Sequence, residues 1–405
     1  MPDLGTLRAM SVAELVHLAR AAHVENASSL KKPDLVAAIL RAHNAGQQIS
    51  EGAGVIEILG DGFGFLRAAE YSFLPGPDDV YVSPSQIRKF NLRTGDMVTG
   101  SVRAPKENER YFALTKVGAV NGEDPELARD AVLFESLTAV HPTRALLLGG
   151  SSGAHDAADD RTARALDLLA PLGRGQRVLV EGPARSGKSS VLRSIAKGLS
   201  AFHEDIHVMV VLVAERPEDV TEIEQSLGAE VLATTFDEPD ARHVQVAEMA
   251  VERARRLAEH KKDVVVLLDS LNKLVQATHA TAPPSGRITA GYDAVAVQRV
   301  RRLLGAGRAL REGGSLTMVA TLQTERAGDP ADSLGRAFHG TENVSIVLDG
   351  DAALAGLHPA LDPLRTRTHR AELLIDADAR RARLGDVRDV EALHALLSGA
   401  PTRSP

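Results

Sequence analysis

Gly182-Pro-Ala-Arg-Ser-Gly187-Lys188-Ser189 spaces two glycines, a lysine and a hydroxyl as a phosphate-binding P-loop does. Glycine is required there because the backbone must wrap phosphate oxygens closely and adopt positive φ. A following helix would turn its free N–H groups toward the anion, Lys188 would reach the terminal phosphates, and Ser189 could ligand Mg²⁺. Farther along, Asp263-Val-Val-Val-Leu-Leu-Asp269 ends an apolar run on a carboxylate, the position from which a Walker B residue holds the Mg²⁺ shell. Ala214-Glu215-Arg216-Pro217 ends another such run, and Glu215 there is either the general base for an attacking water or a solvated strand end. A second chemistry is written in Asp61-Gly62-Phe63-Gly64-Phe65-Leu66-Arg67, where aromatics alternate with glycines. Facing outward, the two rings would be stacking platforms worth about 1–3 kcal/mol per base; facing inward, they are core. The glycines would let bases approach, and Arg67 offers stacking or a phosphate contact. Glu109-Arg110-Tyr111 adds another cation and aromatic. The chain holds nine phenylalanines, four tyrosines and no tryptophan, so two rings in one short window favour the stacking role.

The elements that must position these residues change character along the chain. Ser11-Val-Ala-Glu14 has the capping-box pattern, with Val12, Leu15, Val16 and Ala19 at helical spacing behind it. Pro33 suits a first helical position before the stripe Leu35, Val36, Ile39 and Leu40, and Asn44-Ala-Gly46 ends the unit. Residues 1–48 are therefore expected to form a small helical bundle, either accessory or nucleic-acid-binding. Across residues 50–118 the pattern is short strands: 54–59, 62–67, 79–82, 97–102 and 111–115, broken by Gly-Asp-Gly, Pro-Gly-Pro and Thr-Gly-Asp. Five such strands predict a small Greek-key barrel of the OB, cold-shock-like kind. Residues 119–130 read as a linker with a helical start near Leu127. Within residues 131–405, a Gly/Ser/Asp-rich loop from Gly149 to Asp160 is followed by apolar strands (178–180, 208–213, 264–268 and 316–320) alternating with helical stretches. Strands of that kind are buried on both faces, which implies a parallel α/β sheet covered by helices.

Composition narrows the function classes. The chain has 405 residues, enough for two to four domains at roughly 100–200 residues each. Hydrophobic content of 44% and charged content of 25% suit a globular protein. No apolar run approaches the roughly 18–20 residues of a bilayer span, and no secretory leader pattern opens the chain, so a cytoplasmic location with no membrane partner is expected. Without cysteine, disulfides, thiolate metal sites and cysteine nucleophiles are excluded. A net charge of −7 means that nucleic acid must be held by local sites and not by a global cationic field.

Longer runs carry a family resemblance. Leu59–Arg67, Gly76–Ile87, Phe90–Asp96, Glu109–Leu114, Gly173–Arg177, the P-loop, Glu215–Glu222, Thr235–Pro239, Arg242–Met249 and Glu259–Ser270 together resemble the bacterial Rho termination-factor family over most of the chain. The resemblance implies a RecA-like ATPase domain and a homohexameric ring that binds C-rich single-stranded RNA on the barrel. Such a ring would move RNA 5′ to 3′ with ATP and Mg²⁺, and release RNA polymerase. It assigns RNA contacts to Gly62, Phe63, Gly64, Phe65, Leu66, Arg67, Asp79, Val80, Tyr81, Glu109, Arg110 and Tyr111. ATP contacts fall on Gly173, Arg174, Gly175, Gln176, Arg177, Val178, Arg185, Ser186, Gly187, Lys188, Ser189, Ser190 and Arg216. Glu215 becomes the base, and Asp269 with Ser189 the Mg²⁺ partners.

The resemblance weakens toward the C-terminus. A pore loop with Ser-Gly-Lys in the family reads Ser285-Gly-Arg287 here, leaving Arg287 as the RNA contact. The second pore loop aligns at Ala327-Gly-Asp329-Pro330, an acid where a lysine is expected, and the arginine finger aligns with His369. Another family arginine aligns with Gly356, while Arg365, Arg367 and Arg370 lie near the finger position. Histidine is a weak substitute because its ordinary pKa is about 6.5. The leading expectation is an RNA-dependent ATPase and translocase that terminates transcription. The alternatives are a regulatory ring subunit that binds RNA and ATP but translocates weakly, and a rotary-ATPase-like subunit, which would have no use for the Phe63–Phe65 strand.

Overall fold

Ser11 accepts the Glu14 N–H while Glu14 caps the Ser11 N–H at 2.8 Å, so the chain commits locally to a helix. A computed structural model describes residues 4–43, 50–105, 109–149, 158–325, 333–385 and 387–398. The expected helix end at Asn44–Gly46 and the second pore loop at Ala327–Pro330 lie outside the described residues. Two units result, Met1–Leu133 and Phe134–Pro405.

In the first unit, helices α1 (Leu4–Ala9), α2 (Val12–Ala21) and α3 (Lys32–His43) precede five strands: β1 (Ser50–Ile58), β2 (Gly64–Arg67), β3 (Val80–Val82), β4 (Met97–Arg103) and β5 (Phe112–Val120). They close into a barrel in the order β1-β2-β3-β5-β4, with β3 and β5 parallel and the other pairs antiparallel. Helices and barrel share one core, in which Leu15, Leu35 and Ile39 join Ile56, Leu66, Val80 and Phe112. Arg8 locks the two together, donating to Asp78 at 2.7 Å and to the Ala53 carbonyl at 3.0 Å. A short helix α4 (Pro84–Lys89) sits between β3 and β4, where the sequence reading had no element. Its signal was present: Ser83 and Gln86 form a capping box with proline at the first helical position. β2 starts at Gly64 and not at Gly62, because Gly62 has φ +80° and closes the turn by donating to the Leu59 carbonyl.

The second unit begins after a short helix α5 (Pro125–Ala128). Short strands β6 (Ala139–Val140) and β7 (Ala145–Leu146), helix α6 (Ala158–Leu169) and β8 (Leu172–Gly173) lead into a βα alternation. It runs β9 (Arg177–Gly182), α7 (Lys188–Phe202), β10 (Ile206–Glu215), α8 (Pro217–Ser226), β11 (Glu230–Thr235), α9 (Asp240–Glu259), β12 (Asp263–Asp269) and α10 (Leu271–Thr281). A hairpin β13 (Ile288–Thr289) and β14 (Tyr292–Asp293), then α11 (Ala294–Leu304), β15 (Arg308–Leu310) and β16 (Ser315–Gln323) follow. The chain closes with α12 (Ser333–Phe338), β17 (Val344–Val347), α13 (Gly350–Leu354), β18 (Arg367–Thr368), α14 (Ala377–Leu384) and α15 (Val390–Leu397). The sheet order is β11-β10-β12-β16-β9-β17-β18, parallel from β11 to β17. Every residue of β12 is buried, as expected of a strand covered on both faces. Among the described residues no helix is long and apolar enough to cross a membrane.

Candidate functional site

Parallel strands all point one way, so the residues at their C-terminal ends gather along a single edge of the sheet. Gly182 ends β9, Glu215 ends β10, Asp269 ends β12 and Gln323 ends β16. Register places Gly182 beside Gln323, and Leu212 beside Asp269. The P-loop leaves β9 and enters α7 at Lys188, with Gly187 at φ +97°. A Cβ on Gly182 would stand 2.4 Å from Ser186 Oγ, so only glycine allows the loop to close.

Lys188 folds into this loop, donating to the Gly182 carbonyl at 2.9 Å and the Pro183 carbonyl at 2.6 Å. Burial lowers its pKa to about 8, against the opposing pull of Asp269. Ser189 Oγ donates to Asp269 Oδ2 at 2.7 Å, and Thr321 Oγ1 donates to Asp269 Oδ1 at 2.6 Å. The hydroxyl and carboxylate that a Mg²⁺ would share are therefore already side by side. No group of three or more His, Cys, Asp or Glu among the described residues could hold a metal by itself. That fits Mg²⁺, which takes one or two protein ligands and completes its shell from phosphate and water.

Glu215 is half-buried and pairs directly with Lys273 of α10. Burial raises its pKa, and Lys273 opposes the rise. The open alternative of a solvated strand end does not describe this carboxyl. Lys273 and Thr321 escaped the sequence reading because each lies on a different element from the group it serves. Arg185, Ser190 and Arg216 are exposed, Arg216 heading α8, while Ser186 is buried in the loop.

Gly173, Arg174, Gly175, Gln176, Arg177 and Val178, which the resemblance assigns to ATP, do not join this edge within one chain. β9 carries the chain five steps from Arg177 to Gly182, about 17 Å at about 3.3 Å per residue. Within one chain these six residues occupy the opposite end of the sheet and build the turn into β9. Arg174 is buried against Asp205 and Asp263, and the Gly175 N–H donates to Thr317 Oγ1 at 2.8 Å. Gln176 Oε1 accepts the Gly173 N–H at 2.7 Å, Arg177 donates to the Gly307 carbonyl at 2.7 Å, and Val178 is core.

In the first unit, Phe63, Phe65, Tyr81 and Tyr111 converge on one patch of the barrel. Ring centroids lie 5.8 Å apart for Phe63–Phe65, 5.7 Å for Phe63–Tyr81 and 4.7 Å for Phe65–Tyr111. Phe63, Tyr81 and Tyr111 are half-exposed, whereas Phe65 is only 7% exposed and forms the base on which they stand. The outward orientation expected of both phenylalanines holds for Phe63 alone. Arg67 is buried at 4.9 Å from the Phe65 ring and paired with Glu57 and Asp79, so it is no free phosphate ligand. Burial raises the Asp79 pKa to about 6, opposed by Arg67, and Asp79 Oδ1 is buried with no hydrogen-bond partner among the described residues. Leu66 and Val80 point into the barrel core, because side chains alternate along a strand. Gly64 cannot carry a Cβ, which would meet the Glu57 carbonyl at 2.9 Å. Glu109 is exposed and bound to Arg103 at 2.5 Å, and Arg110 lies 5.5 Å from the Tyr111 ring.

Arg287 is exposed just before the β13–β14 hairpin, which Asp293 organises by accepting the Ser285 N–H at 2.7 Å. Arg365, Arg367 and His369 are exposed while Thr366 and Thr368 between them are buried, the alternation of an extended segment. Arg365 lies 3.5 Å from Asp362, and Arg370 lies 3.7 Å from Glu372.

Comparison with known proteins agrees with this division of labour. Residues 6–48 match the Rho termination factor N-terminal domain and residues 52–126 its RNA-binding domain. Residues 162–367 match the nucleotide-binding domain of the ATP synthase alpha/beta family. Transcription termination factor Rho of Buchnera aphidicola subsp. Schizaphis graminum is 48% identical over 92% of this chain and 88% of its own. That of Escherichia coli K12 is 47% identical over the same shares, and that of Pseudomonas aeruginosa 46% over 93% and 89%. With an aromatic-faced barrel, a P-loop strand edge and this identity along nearly its whole length, the chain belongs to the transcription termination factor Rho family.

Proposed function

We propose that this chain is an RNA-dependent ATPase that moves 5′ to 3′ along nascent, C-rich single-stranded RNA and terminates transcription, working as a homohexameric ring against the RNA polymerase elongation complex. The observation that carries the reading is the coexistence in one chain of the aromatic patch on the barrel and the strand-end set Lys188, Ser189, Glu215 and Asp269. Bases stack on Phe63, Tyr81 and Tyr111, each contact contributing about 1–3 kcal/mol. Arg67 and Asp79 brace the aromatic patch as a buried ion pair, and Arg287 grips RNA on the second unit. ATP phosphates lie against the N–H groups at the start of α7, with Arg185 and Arg216 at hand. Lys188 leaves the Gly182 and Pro183 carbonyls for the terminal phosphates. Ser189 and Asp269 hold Mg²⁺, which supplies charge neutralisation at the phosphates when bound. Glu215 takes the proton of the attacking water at its carboxylate oxygen.

The domain reading that goes with this function is a helical subdomain at 1–48, an RNA-binding barrel at 50–118, a linker at 119–130 and an ATPase domain at 131–405. His369 at the aligned finger position favours a second reading, in which the chain is a regulatory subunit with weak translocation. Steady-state ATP hydrolysis with and without poly(C) tests the proposal. The expected result is RNA-stimulated turnover that Lys188→Ala and Glu215→Gln both abolish, with ATP binding kept in Glu215→Gln. Turnover indifferent to RNA would refute it. Feeble turnover that His369→Arg raises would select the regulatory reading, since a finger arginine contributes about 10³–10⁵ in kcat.

A further inference from the structure

Arg8 closes the last turn of α1, a helix that carries none of the RNA contacts assigned above, yet its side chain is only 4% exposed and reaches into the barrel. Its Nε donates to Asp78 Oδ2 at 2.7 Å, one Nη to the Asp78 carbonyl at 3.3 Å and the other to the Ala53 carbonyl at 3.0 Å. Asp78 is fully buried and is followed directly by Asp79, which is buried as well. Asp79 Oδ2 accepts the Gly76 N–H at 2.8 Å and pairs with Arg67. Arg67 also pairs with Glu57 and stands 4.9 Å from the centre of the Phe65 ring, the base of the aromatic patch. A continuous run of buried charges therefore leads from the helical subdomain through Asp78, Asp79 and Arg67 to the floor under Phe63, Tyr81 and Tyr111.

Adjacent buried carboxylates stay ionised together only when each has a cation of its own. The division here is one to one: Arg8 serves Asp78, and Arg67 serves Asp79. Neither acid has hydrogen bonds in reserve, since Oδ1 of each is buried with no hydrogen-bond partner among the described residues. Burial raises the Asp79 pKa to about 6, aided by the Asp78 charge and opposed by Arg67 and the Gly76 N–H. The other titratable groups at this place are Glu57, held by Arg67, and Tyr71 with the Glu70 carboxylate that acts on it. Burial pushes the Tyr71 hydroxyl far up, so it stays neutral near and below pH 7. We infer that Arg8 is a positioning residue of the RNA site: by neutralising Asp78 it keeps the Asp79–Arg67 pair intact, and that pair holds the Phe65 floor on which the exposed rings stand. The inference rests on the aromatic patch being the RNA site, as proposed above.

The test is fluorescence anisotropy of the full chain with a labelled oligocytidine across a pH series. Affinity of the parent is expected to fall about fivefold or more below about pH 6, where Asp79 takes up a proton, a loss on the scale of one stacked base. Arg8→Met leaves the Asp78 charge uncompensated beside Asp79, so the fall should begin at higher pH, with affinity recovering on the alkaline side. Arg8→Lys returns the charge and should bring the profile back toward the parent. Asp78→Asn removes the like charge while keeping the side-chain shape, and should move the fall to lower pH, the opposite direction. That variant reads the same coupling even where Arg8→Met fails to fold. An arginine that only supported the fold would weaken binding by the same factor at every pH. The inference is overturned by such a uniform loss, by an Asp78→Asn profile that matches the parent, or by a parent affinity that is flat across pH 6. Each of these, found in a parent whose RNA binding Phe63→Ala weakens, refutes the role of Arg8 alone. A parent that binds no oligocytidine, or binds it undiminished after Phe63→Ala, refutes the RNA-site reading and the inference with it.

Discussion

Lys273 and Glu215 allow a quantitative test of how the proposed base is kept ready. The ammonium of Lys273 donates directly to Glu215 Oε1, with the two side chains 37% and 18% exposed. Unit charges about 4 Å apart attract by about 4 kcal/mol at an effective dielectric of 20 and by about 1 kcal/mol in bulk water. Partial exposure puts this pair toward the lower figure, and salt screening discounts it further, to about 1–2 kcal/mol. Burial, with the nearby Asp269 and Asp219 carboxylates, raises the Glu215 pKa, and Lys273 opposes the rise. Lys273→Met keeps the side-chain length and removes the charge, so the carboxyl stays protonated to a higher pH. The acid limb of kcat against pH is therefore expected to move to higher pH. The deficit should be deepest on the acid side and fade as pH rises, and Lys273→Arg should return the limb to its place. The assay is steady-state hydrolysis at saturating ATP and poly(C), from about pH 5 to about pH 9. Superimposable acid limbs for the parent and Lys273→Met would show that the pair does not persist in the working enzyme.

Phe63 and Phe65, adjacent on the barrel, should respond differently to truncation. Phe63→Ala should weaken binding of a pyrimidine oligomer by about 1–3 kcal/mol with the melting temperature unchanged. Phe65→Ala should cost about 3–5 kcal/mol of stability as well, because its ring is packed beneath the patch; unaltered melting in Phe65→Ala would contradict that packing. Lys188 has a pKa of about 8 in the free site, so it is charged below that pH and neutral above it. Phosphate favours the charged form, so ATP binding should take up a proton near pH 8, and affinity should fall by up to about tenfold per unit above it. Calorimetry in two buffers of different ionisation heat measures this, and a net proton uptake of zero would refute it.

The residues whose roles depend on local backbone requirements were legible in the sequence. The P-loop glycines, Lys188 and Ser189 act within one strand-to-helix turn, and Asp269 closes one strand, so their spacing along the chain is their spacing in the site. The five barrel strands were equally legible, because turn residues and alternation are short-range. Relations across elements were decided only by the tertiary structure. Gly173–Val178 lie close to the P-loop in sequence, yet an extended strand carries them to the far end of the sheet. Phe65 and Arg67 share a face of β2, and whether that face meets solvent depended on Tyr81, Tyr111, Glu57 and Asp79 arriving from other strands. Lys273 reaches Glu215, Thr321 reaches Asp269, and His339 reaches Glu181 only because parallel strands with helical crossovers align their ends. Chain spacing determines which chemistry a turn can perform; the charge state of a carboxyl and the exposure of a ring depend on neighbours brought in from elsewhere in the chain.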